Sequence, residues 1–296
     1  MTTRAKRLQG DNETVAYMTQ LITEHIRSCK ARGLAETTRE SREYLLRRLD
    51  TELPMGLGQA TVEELEDWLA EHDDDQTQAT YYGHVVAFFR WACDPARPRI
   101  DYDPSVGLRR PKVAQNVPKP ATNEELQHAL QALQDPWLLY VKLAAYGGAR
   151  CCEIENLTRG DVTSEQMRLT GKGGKTRMVR THPVVWAAIE HLPPGPIAYK
   201  IRKAERVTAE YLSASMITVF GRIGLQGMSL HRMRHWYATM QLRPRKYGGA
   251  GASIRTVQEN LGHANLATTA IYTLVCDEER ADAVDSLPTF TGPASC

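Results

Sequence analysis

Apolar residues recur every three or four positions through the first third of the chain, which is the spacing of one helical face. Thr61 and Glu64 have the spacing of a capping box, and Pro95 closes the last apolar stripe of this region. The pattern predicts four helices, the first starting near residue 12, at about 15–29, 38–49, 61–69 and 81–92. The first third is therefore expected to form a helical domain.

Prolines interrupt this pattern between residues 94 and 120. Because proline cannot continue a helix or donate to a β-ladder, the stretch is predicted to be a linker. From Arg97 to Lys119 it carries six basic and two acidic residues, which suits a segment that follows a polyanion. The predicted division is a helical domain over 1–108, a basic linker over 109–120 and a second domain over 121–296.

The second domain is predicted to be mainly helical around one small antiparallel sheet. Thr122 and Glu125 form another capping box, and an apolar helix from Trp137 to Tyr146 ends at two glycines. Two short strands, 167–170 and 177–181, flank the glycine-rich segment 171–174, which is typical of a hairpin. Further helices are expected at about 184–191, 208–222, 229–241, 253–261, 266–275 and 277–285.

Charge and composition narrow the class of protein only slightly. The net charge is +2, but five basic residues and no acid lie between Arg232 and Lys246. No apolar run is long enough to span a membrane, and the first ten residues lack the apolar core of a secretion signal, so the cytoplasm is expected. The six cysteines show no CxxC pair and are interpreted as reduced thiols.

Two segments with basic residues are candidates for phosphate chemistry. A glycine turn delivers Arg150 just before a helix that has Glu153 one turn on, although a surface arginine in an i,i+3 ion pair has the same pattern. Lys172 lies in the glycine-rich hairpin. A phosphate-binding loop is excluded because Leu169 stands where its first glycine is needed, and the segment joins two strands. A solvated lysine at a hairpin tip is the simpler alternative.

Two further segments carry histidines and a tyrosine. His231 and His235 have the spacing of a helical zinc site, but Arg232 replaces the glutamate of HExxH and the flanking cations disfavour a metal. His231 and Arg234 share a helical face, so both could point at one anion. His263 and Tyr272 follow Gly262, with Asn265 or Thr268 available to start the helix that carries the tyrosine. A lone tyrosine on a helix is normally a core or rim residue.

Together the four segments resemble the tyrosine recombinase (phage integrase) family over nearly the whole chain. The family pattern is an arginine in Gly-x-Arg-x-x-Glu, a lysine on a β-hairpin, His-x-x-Arg, Leu-Gly-His and a tyrosine nine residues later. The matching positions are Arg150 with Glu153, Lys172, His231 with Arg234, His263 and Tyr272. The resemblance implies that residues 1–108 are a core-type DNA-binding domain and residues 121–296 the catalytic domain.

The resemblance also implies a mechanism without metal or cofactor. Tyr272 would attack the scissile phosphorus and form a 3′-phosphotyrosine, and exchange would pass through a Holliday junction. Arg150 and Arg234 would hold the non-bridging oxygens, and Lys172 would protonate the 5′ oxygen. His231 and His263 would add donors, His231 also assisting deprotonation of Tyr272, and Glu153 would hold an arginine. A dense cationic site is expected to favour the phenolate.

The expected partners are double-stranded core or attachment sites and three further copies of the chain. The segment 277–287 is predicted to be a helix that docks on the next protomer of a tetramer, although it could instead pack on its own domain. Accessory DNA-bending or directionality proteins are further expected partners. Candidate DNA contacts, any of which could equally be ordinary exposed residues, are Arg39, Arg42, Gln78, Thr80, Tyr81, His84, Arg109, Arg110, Lys112, Lys175 and Arg245.

Two departures from the family pattern bear on the choice of function. The interval from Arg234 to His263 is longer than usual, and the excess at 243–251 is interpreted as a basic, flexible loop. Helices that start near residue 12 leave no room for an arm-binding domain, so a simple two-domain integrase or a Xer-type recombinase is expected. The unusual loop and the lack of close resemblance to Xer sequences favour an integrase of a phage or mobile element. The alternatives are a Xer-type resolvase of chromosome or plasmid dimers and a type IB topoisomerase.

Overall fold

The structure is a computed structural model that describes residues 2–113, 117–199, 206–263 and 265–272, with side chains from residue 16 onward. The chain divides into two compact units, Met1–Gln115 and Asn116–Cys296. None of the described helices is both long and apolar enough to cross a membrane.

The first unit is a bundle of four helices around its own apolar core. They are α1 (Thr2–Ala31), α2 (Glu36–Glu52), α3 (Val62–Ala70) and α4 (Asp75–Ala92), with 3-10 turns at Leu57–Gln59 and Pro104–Val106. Thr61 and Glu64 form the predicted capping box. Helix α1 begins ten residues before the predicted start, because its polar first turns carry no apolar periodicity. The core contains Ile22, Leu45, Leu49, Leu65, Phe88 and Phe89.

The second unit starts with three helices that lead into a hairpin. They are α5 (Asn123–Ala132), α6 (Trp137–Gly147) and α7 (Cys151–Asn156). Thr122 and Glu125 form the capping box that begins α5. Strands β1 (Gln166–Thr170) and β2 (Thr176–Arg180) then pair antiparallel, with Leu169 opposite Arg177. Helix α6 is apolar on nearly all sides because it lies at the centre of the core, against α5, α8 and α10.

Five helices follow the hairpin within the described part of this unit. They are α8 (Pro183–Ile189), α9 (Ala209–Arg222), α10 (Leu230–Leu242), α11 (Ile254–Leu261) and α12 (Ala267–Ala270). Helix α12 has Leu266 as its N-cap, so the prediction that Asn265 or Thr268 starts this helix was wrong. The predicted docking helix at 277–285 lies outside the described residues. The mainly α class with one small antiparallel sheet is confirmed.

The segment 243–251 folds back on the end of α10 and is not the open loop that its glycines predicted. Ala250 N donates to Met240 O at 2.8 Å and Ala252 N to Gln241 O at 2.7 Å. A 3-10 turn, Arg245–Tyr247, fills the tip. A Cβ atom at Gly249 would collide with the Arg243 backbone, so glycine here serves close packing rather than flexibility.

Candidate active site

A tight turn between α6 and α7 sets the position of Arg150. Gly148 has a φ of 60°, and a Cβ atom there would lie 2.5 Å from the ring of Tyr237, so both conformation and space require glycine. Arg150 is the N-cap residue of α7, and its backbone N donates to Glu153 Oε2 at 2.7 Å. Its guanidinium donates to Glu153 Oε1 at 3.0 Å while 35% of the side chain stays exposed. The pair predicted from the i,i+3 spacing is therefore present.

Glu153 is a buried anion shared by three arginines. Arg177 Nη1 donates to Oε1, and Arg234 Nη1 lies 3.5 Å from Oε2. Burial by itself raises the pKa of Glu153, but the charge and hydrogen bond of Arg177, with the contributions of Arg150 and Arg234, lower it overall. The carboxylate thus joins the turn before α7, strand β2 and helix α10.

Arg177 was not singled out in the sequence. Its side chain is only 11% exposed, and its guanidinium also donates to Gly148 O at 3.0 Å and to Asn260 O at 2.9 Å. It thereby connects strand β2 to the turn before α7 and to the end of α11. The available signal was strand alternation, because Arg177 lies two residues before buried Val179 and so faces the interior.

Arg234 lies behind Arg150 and is almost entirely buried. Its guanidinium donates to Gly148 O and to Leu261 O, the second at 2.7 Å, and one nitrogen lies 3.4 Å from His263 Nε2. Burial first, then repulsion by Arg150 and Arg177, lowers the pKa of Arg234 to about 9, with Glu153 acting in the opposite direction. Arg234 therefore remains a cation at neutral pH.

His263 is oriented by partners on both ring nitrogens. Nε2 faces Arg234, which can only donate, so Nδ1 carries the proton in the neutral ring and faces Thr269 Oγ1 at 2.9 Å. Burial and the positive charges of Arg234, Arg150 and Arg177 lower the pKa of His263 to about 4. The imidazole is thus neutral at physiological pH.

The prediction that the cationic site favours the phenolate form of Tyr272 was wrong for the DNA-free chain. The side chain is 2% exposed, and its hydroxyl lies 2.7 Å from Nδ1 of His235. Burial raises the pKa of Tyr272 more than Arg234 and Arg150 lower it, so the phenol stays protonated. The cationic site was expected to favour phenolate, but desolvation of the oxygen outweighs it in the DNA-free chain.

The two histidines of α10 occupy different environments. His231 is exposed, and partial desolvation together with Arg234 and Arg150 lowers its pKa. Its ring meets that of His235 edge-on, with the centroids 4.2 Å apart. The structure therefore places His235, rather than His231, beside the tyrosine hydroxyl, and sequence reasoning had considered His235 only as a zinc ligand. Within the described residues no group of His, Cys, Asp or Glu side chains could hold a metal ion.

Lys172 lies at the exposed tip of the hairpin, in a 3-10 turn over Lys172–Gly174. The neighbouring Gly171 packs against Glu153, since a Cβ atom there would lie 3.5 Å from Oε1. The tip is thereby next to the arginine cluster. Lys175 in the same hairpin and Arg245 in the 243–251 segment are also exposed.

The candidate DNA contacts of the first unit do not share one open surface. His84 is buried, and its Nδ1 accepts from Arg42 Nε at 3.2 Å, so the expectation that His84 is available to DNA was wrong. Tyr81 packs against the rings of Trp68 and His72. Helix α4 turns these residues towards its neighbours because they lie on its apolar side.

The remaining candidates of this unit are more open. Thr80 is exposed, Gln78 is half-buried with its amide on His72 O, and Arg39 is half-buried with its guanidinium on Leu34 O. In the linker the basic candidates Arg109, Arg110 and Lys112 are exposed.

The curated relatives of this chain include tyrosine recombinases named XerC. A tyrosine recombinase XerC of Mesorhizobium japonicum is 32% identical over 190 residues, which cover 57% of this chain and 59% of the relative. A tyrosine recombinase XerC of Brucella melitensis is 28% identical over 253 residues, which cover 77% and 78% of the two chains.

Two solved structures share the fold. A lambda integrase dimer bound to a COC′ core site superposes with a TM-score of 0.69 at 17% identity, covering 86% of this chain and 94% of that one. The XerH recombinase bound to palindromic difH substrate gives 0.62 at 19% identity, covering 84% and 79%. The sequence profile of the phage integrase family matches residues 120–279, which include every residue of the cluster around Glu153 and Tyr272. This chain belongs to the phage integrase family of tyrosine recombinases.

Proposed function

We propose that this chain is a site-specific DNA recombinase that acts in the cytoplasm and integrates or excises a phage or mobile element. The observation that supports it best is the convergence of three of the four family segments, with the hairpin held beside them by the Arg177–Glu153 pair. More than a hundred residues of sequence separate the first of these side chains, Arg150, from the last, Tyr272. Nevertheless, Arg150 and Arg234 share the carboxylate of Glu153. His263 lies 3.4 Å from Arg234, and the Tyr272 hydroxyl lies 2.7 Å from His235, the next residue of α10.

The arrangement suits in-line attack on a phosphodiester. Charge develops on the non-bridging oxygens in the transition state, and guanidinium groups stabilise it because they are planar, permanently charged and bidentate. Arg150, being partly exposed, would meet the phosphate first, while Arg234 supplies charge from behind. His231 lies beside these arginines and would donate a further hydrogen bond. His263 would donate as well once a bound phosphate raises its pKa, because its Nε2 carries no proton in the DNA-free chain.

Tyr272 would be the nucleophile and Lys172 the acid. Attack by the phenol oxygen joins Tyr272 to the 3′ phosphate, and the 5′ oxygen leaves with a proton from Lys172. The energy of the phosphodiester is kept in the phosphotyrosine, so a hydroxyl of the partner strand can reverse the step without a cofactor. Two such exchanges pass through a Holliday junction.

Without DNA the proposed nucleophile would be kept inactive by its surroundings. Tyr272 is buried and its pKa is raised, so the phenol is a poor nucleophile at neutral pH. Cleavage would thus depend on prior binding of the correct site, because only a bound phosphate places a phosphorus atom at the Tyr272 hydroxyl.

Double-stranded DNA and further copies of the chain are the proposed partners. The relatives in solved structures are a lambda integrase dimer on a core site and a lambda integrase tetramer on a Holliday junction. We propose the same assembly here, with the segment 277–287 docking on a neighbouring protomer. Accessory bending or directionality proteins would belong to the same complex.

A Xer-type resolvase is the second candidate, favoured by the relatives named tyrosine recombinase XerC. Both candidates use the same chemistry, but a resolvase joins two copies of one site and an integrase joins two different sites. Recombination scored on plasmids with identical or different site pairs separates them. A type IB topoisomerase would instead relax supercoiled plasmid that lacks any target site.

The nucleophile is tested with a nicked suicide substrate that carries the attachment site. The wild-type chain is expected to form a covalent protein–DNA adduct, and Tyr272→Phe is expected to form none because it lacks the attacking oxygen. Tyr247→Phe, in the 243–251 segment, is the matched control and should leave the adduct unchanged. An adduct that survives Tyr272→Phe would overturn the assignment.

A further inference from the structure

We propose that His235 accepts the proton of the Tyr272 hydroxyl during cleavage. This inference rests on the proposed function, because it assigns one step of that reaction. The phenol oxygen lies 2.7 Å from Nδ1 of His235, well within hydrogen-bond range, and the two rings are tilted by 57° with their centroids 5.3 Å apart.

The other two histidines of the site are occupied differently. His263 stacks nearly parallel to the Tyr272 ring, with its nitrogens directed at Arg234 and Thr269. His231 is exposed and meets the edge of His235. Among the described histidines, His235 is the one at hydrogen-bond distance from the attacking oxygen, so the base role expected of His231 is reassigned by geometry.

His235 is in the correct protonation state to accept. Burial, followed by the charges of His231, Arg234, His263 and Arg232, lowers its pKa to about 4, so the imidazole is neutral at physiological pH. A phenol is the stronger donor of the two groups, and Nδ1 is therefore assigned as the acceptor.

The same surroundings couple proton transfer to the arrival of DNA. Without a phosphate, burial and the nearby charge of Arg234 make an imidazolium at His235 costly, and Tyr272 keeps its proton. A bound phosphate would offset the charge of Arg234, which would raise the basicity of His235. Chemistry would then start only on a filled site.

The proposed step is balanced in atoms and charge. The Tyr272 oxygen forms its bond to phosphorus while its proton passes to Nδ1 of His235. The bond from phosphorus to the 5′ oxygen breaks, and Lys172 gives that oxygen a proton. In rejoining, the 5′ hydroxyl returns a proton to Lys172 and His235 returns its own to the tyrosine. His235 touches a reacting atom and is therefore a catalytic residue.

The test measures single-turnover adduct formation on the nicked suicide substrate over a range of pH. His235→Asn keeps an acceptor near the position of Nδ1 but cannot take a proton. We expect its rate at neutral pH to fall about 100-fold, the low end for a lost general base. The wild-type rate should level off with rising pH, whereas the variant rate should keep rising as phenolate forms. Imidazole in solution should restore His235→Ala.

His128→Asn is the matched control, because it makes the same substitution at an exposed histidine of α5 whose ring contacts Ile223 O. It should leave the rate and its pH dependence unchanged. Melting temperatures establish that each variant is folded. The expected plateau of the wild-type rate at rising pH can be measured without any variant, so it tests the base role even if a variant does not fold.

The outcomes separate the two proposals. A Tyr272-dependent adduct in the wild type with an unchanged pH profile in His235→Asn would overturn the base role and leave the recombinase assignment intact. Failure of imidazole to restore folded His235→Ala would likewise overturn the base role alone. If the wild-type chain forms no adduct on any attachment site, the recombinase assignment itself fails and the base role with it.

Discussion

Glu153 joins three arginines that lie on three different segments, and its charge is almost completely buried. Glu153→Gln keeps the shape of the side chain but leaves Arg177 and Arg234 without their counter-charge. Breaking a buried ion pair in this way costs about 3–5 kcal/mol. We therefore expect the free energy of unfolding of the second unit, measured with urea, to fall by that amount.

Glu259→Gln is the control for Glu153→Gln. Glu259 pairs with Arg255 on the exposed surface of α11, and such pairs contribute about 1 kcal/mol or less. If Glu153→Gln cost no more than Glu259→Gln, the buried cluster would not be the stabilising feature that its geometry indicates.

Acid should reduce the difference between wild type and Glu153→Gln. The folded pKa of Glu153 lies below its unfolded value of about 4.3, so the folded state binds fewer protons. The stability that the carboxylate contributes is complete above that unfolded value and is lost as pH falls through the lowered folded pKa. A difference that stayed constant into acid would contradict the shift.

Residue types and their spacing predicted which side chains meet, but not how deeply each is buried. The i,i+3 pattern predicted the Arg150–Glu153 pair, and the family order predicted Arg234, His263 and Tyr272. The same spacing suggested that His231 and Arg234 face one anion equally, whereas one is exposed and the other enclosed. Desolvation depends on neighbours distant in sequence, so the raised pKa of Tyr272 was not predictable from motifs.

At the scale of elements, the hairpin is the part that brings Lys172, the proposed acid, to the candidate site. Arg177 fixes strand β2 to the turn at Gly148, to Glu153 and to the end of α11, so the tip with Lys172 is anchored beside the arginines. Lys172→Ala should slow cleavage by about 100-fold or more through loss of the acid. A 5′-phosphorothiolate, whose leaving group needs no proton, should restore the rate.

The control for the hairpin is Lys175→Ala, which removes a neighbouring exposed lysine of the same loop. Because Lys175 is itself a candidate DNA contact, the comparison is made at saturating protein, where Lys175→Ala should slow cleavage little and the phosphorothiolate should not speed it further. Equal rescue of both variants would show that the tip contributes charge rather than a proton.

Local turn chemistry predicted some elements well and others poorly. The glycine-rich segment 171–174 between two β-type runs predicted the hairpin correctly. The glycines of 243–251 were interpreted as flexibility, yet they allow backbone segments to approach closely and hydrogen-bond to α10. Glycine permits both outcomes, and only the position of α10 decides between them.

At the scale of the whole molecule, periodicity predicted a mainly helical chain with one small sheet, and the ordered motifs predicted the family. Periodicity could not predict which polar side chains of a helix remain exposed. Arg42 and His84 have the polar character of DNA-contacting residues, but they bind each other between α2 and α4. Helix packing, which the one-dimensional pattern does not encode, determined their burial.

The exposed linker residues Arg109 and Arg110 are consequently better candidates for DNA contact than the helices of the first unit. Each phosphate neutralised by a cation adds about −0.9 to the slope of log K against log salt concentration, because it releases a counterion. Arg110→Gln should therefore weaken binding to all duplex sequences alike and make this slope shallower by about 1.

Arg222→Gln, at an exposed arginine that ends α9, is the control and should leave the slope unchanged. Fluorescence anisotropy over a series of salt concentrations measures both variants, and equal slopes for Arg110→Gln and wild type would exclude a phosphate contact by Arg110.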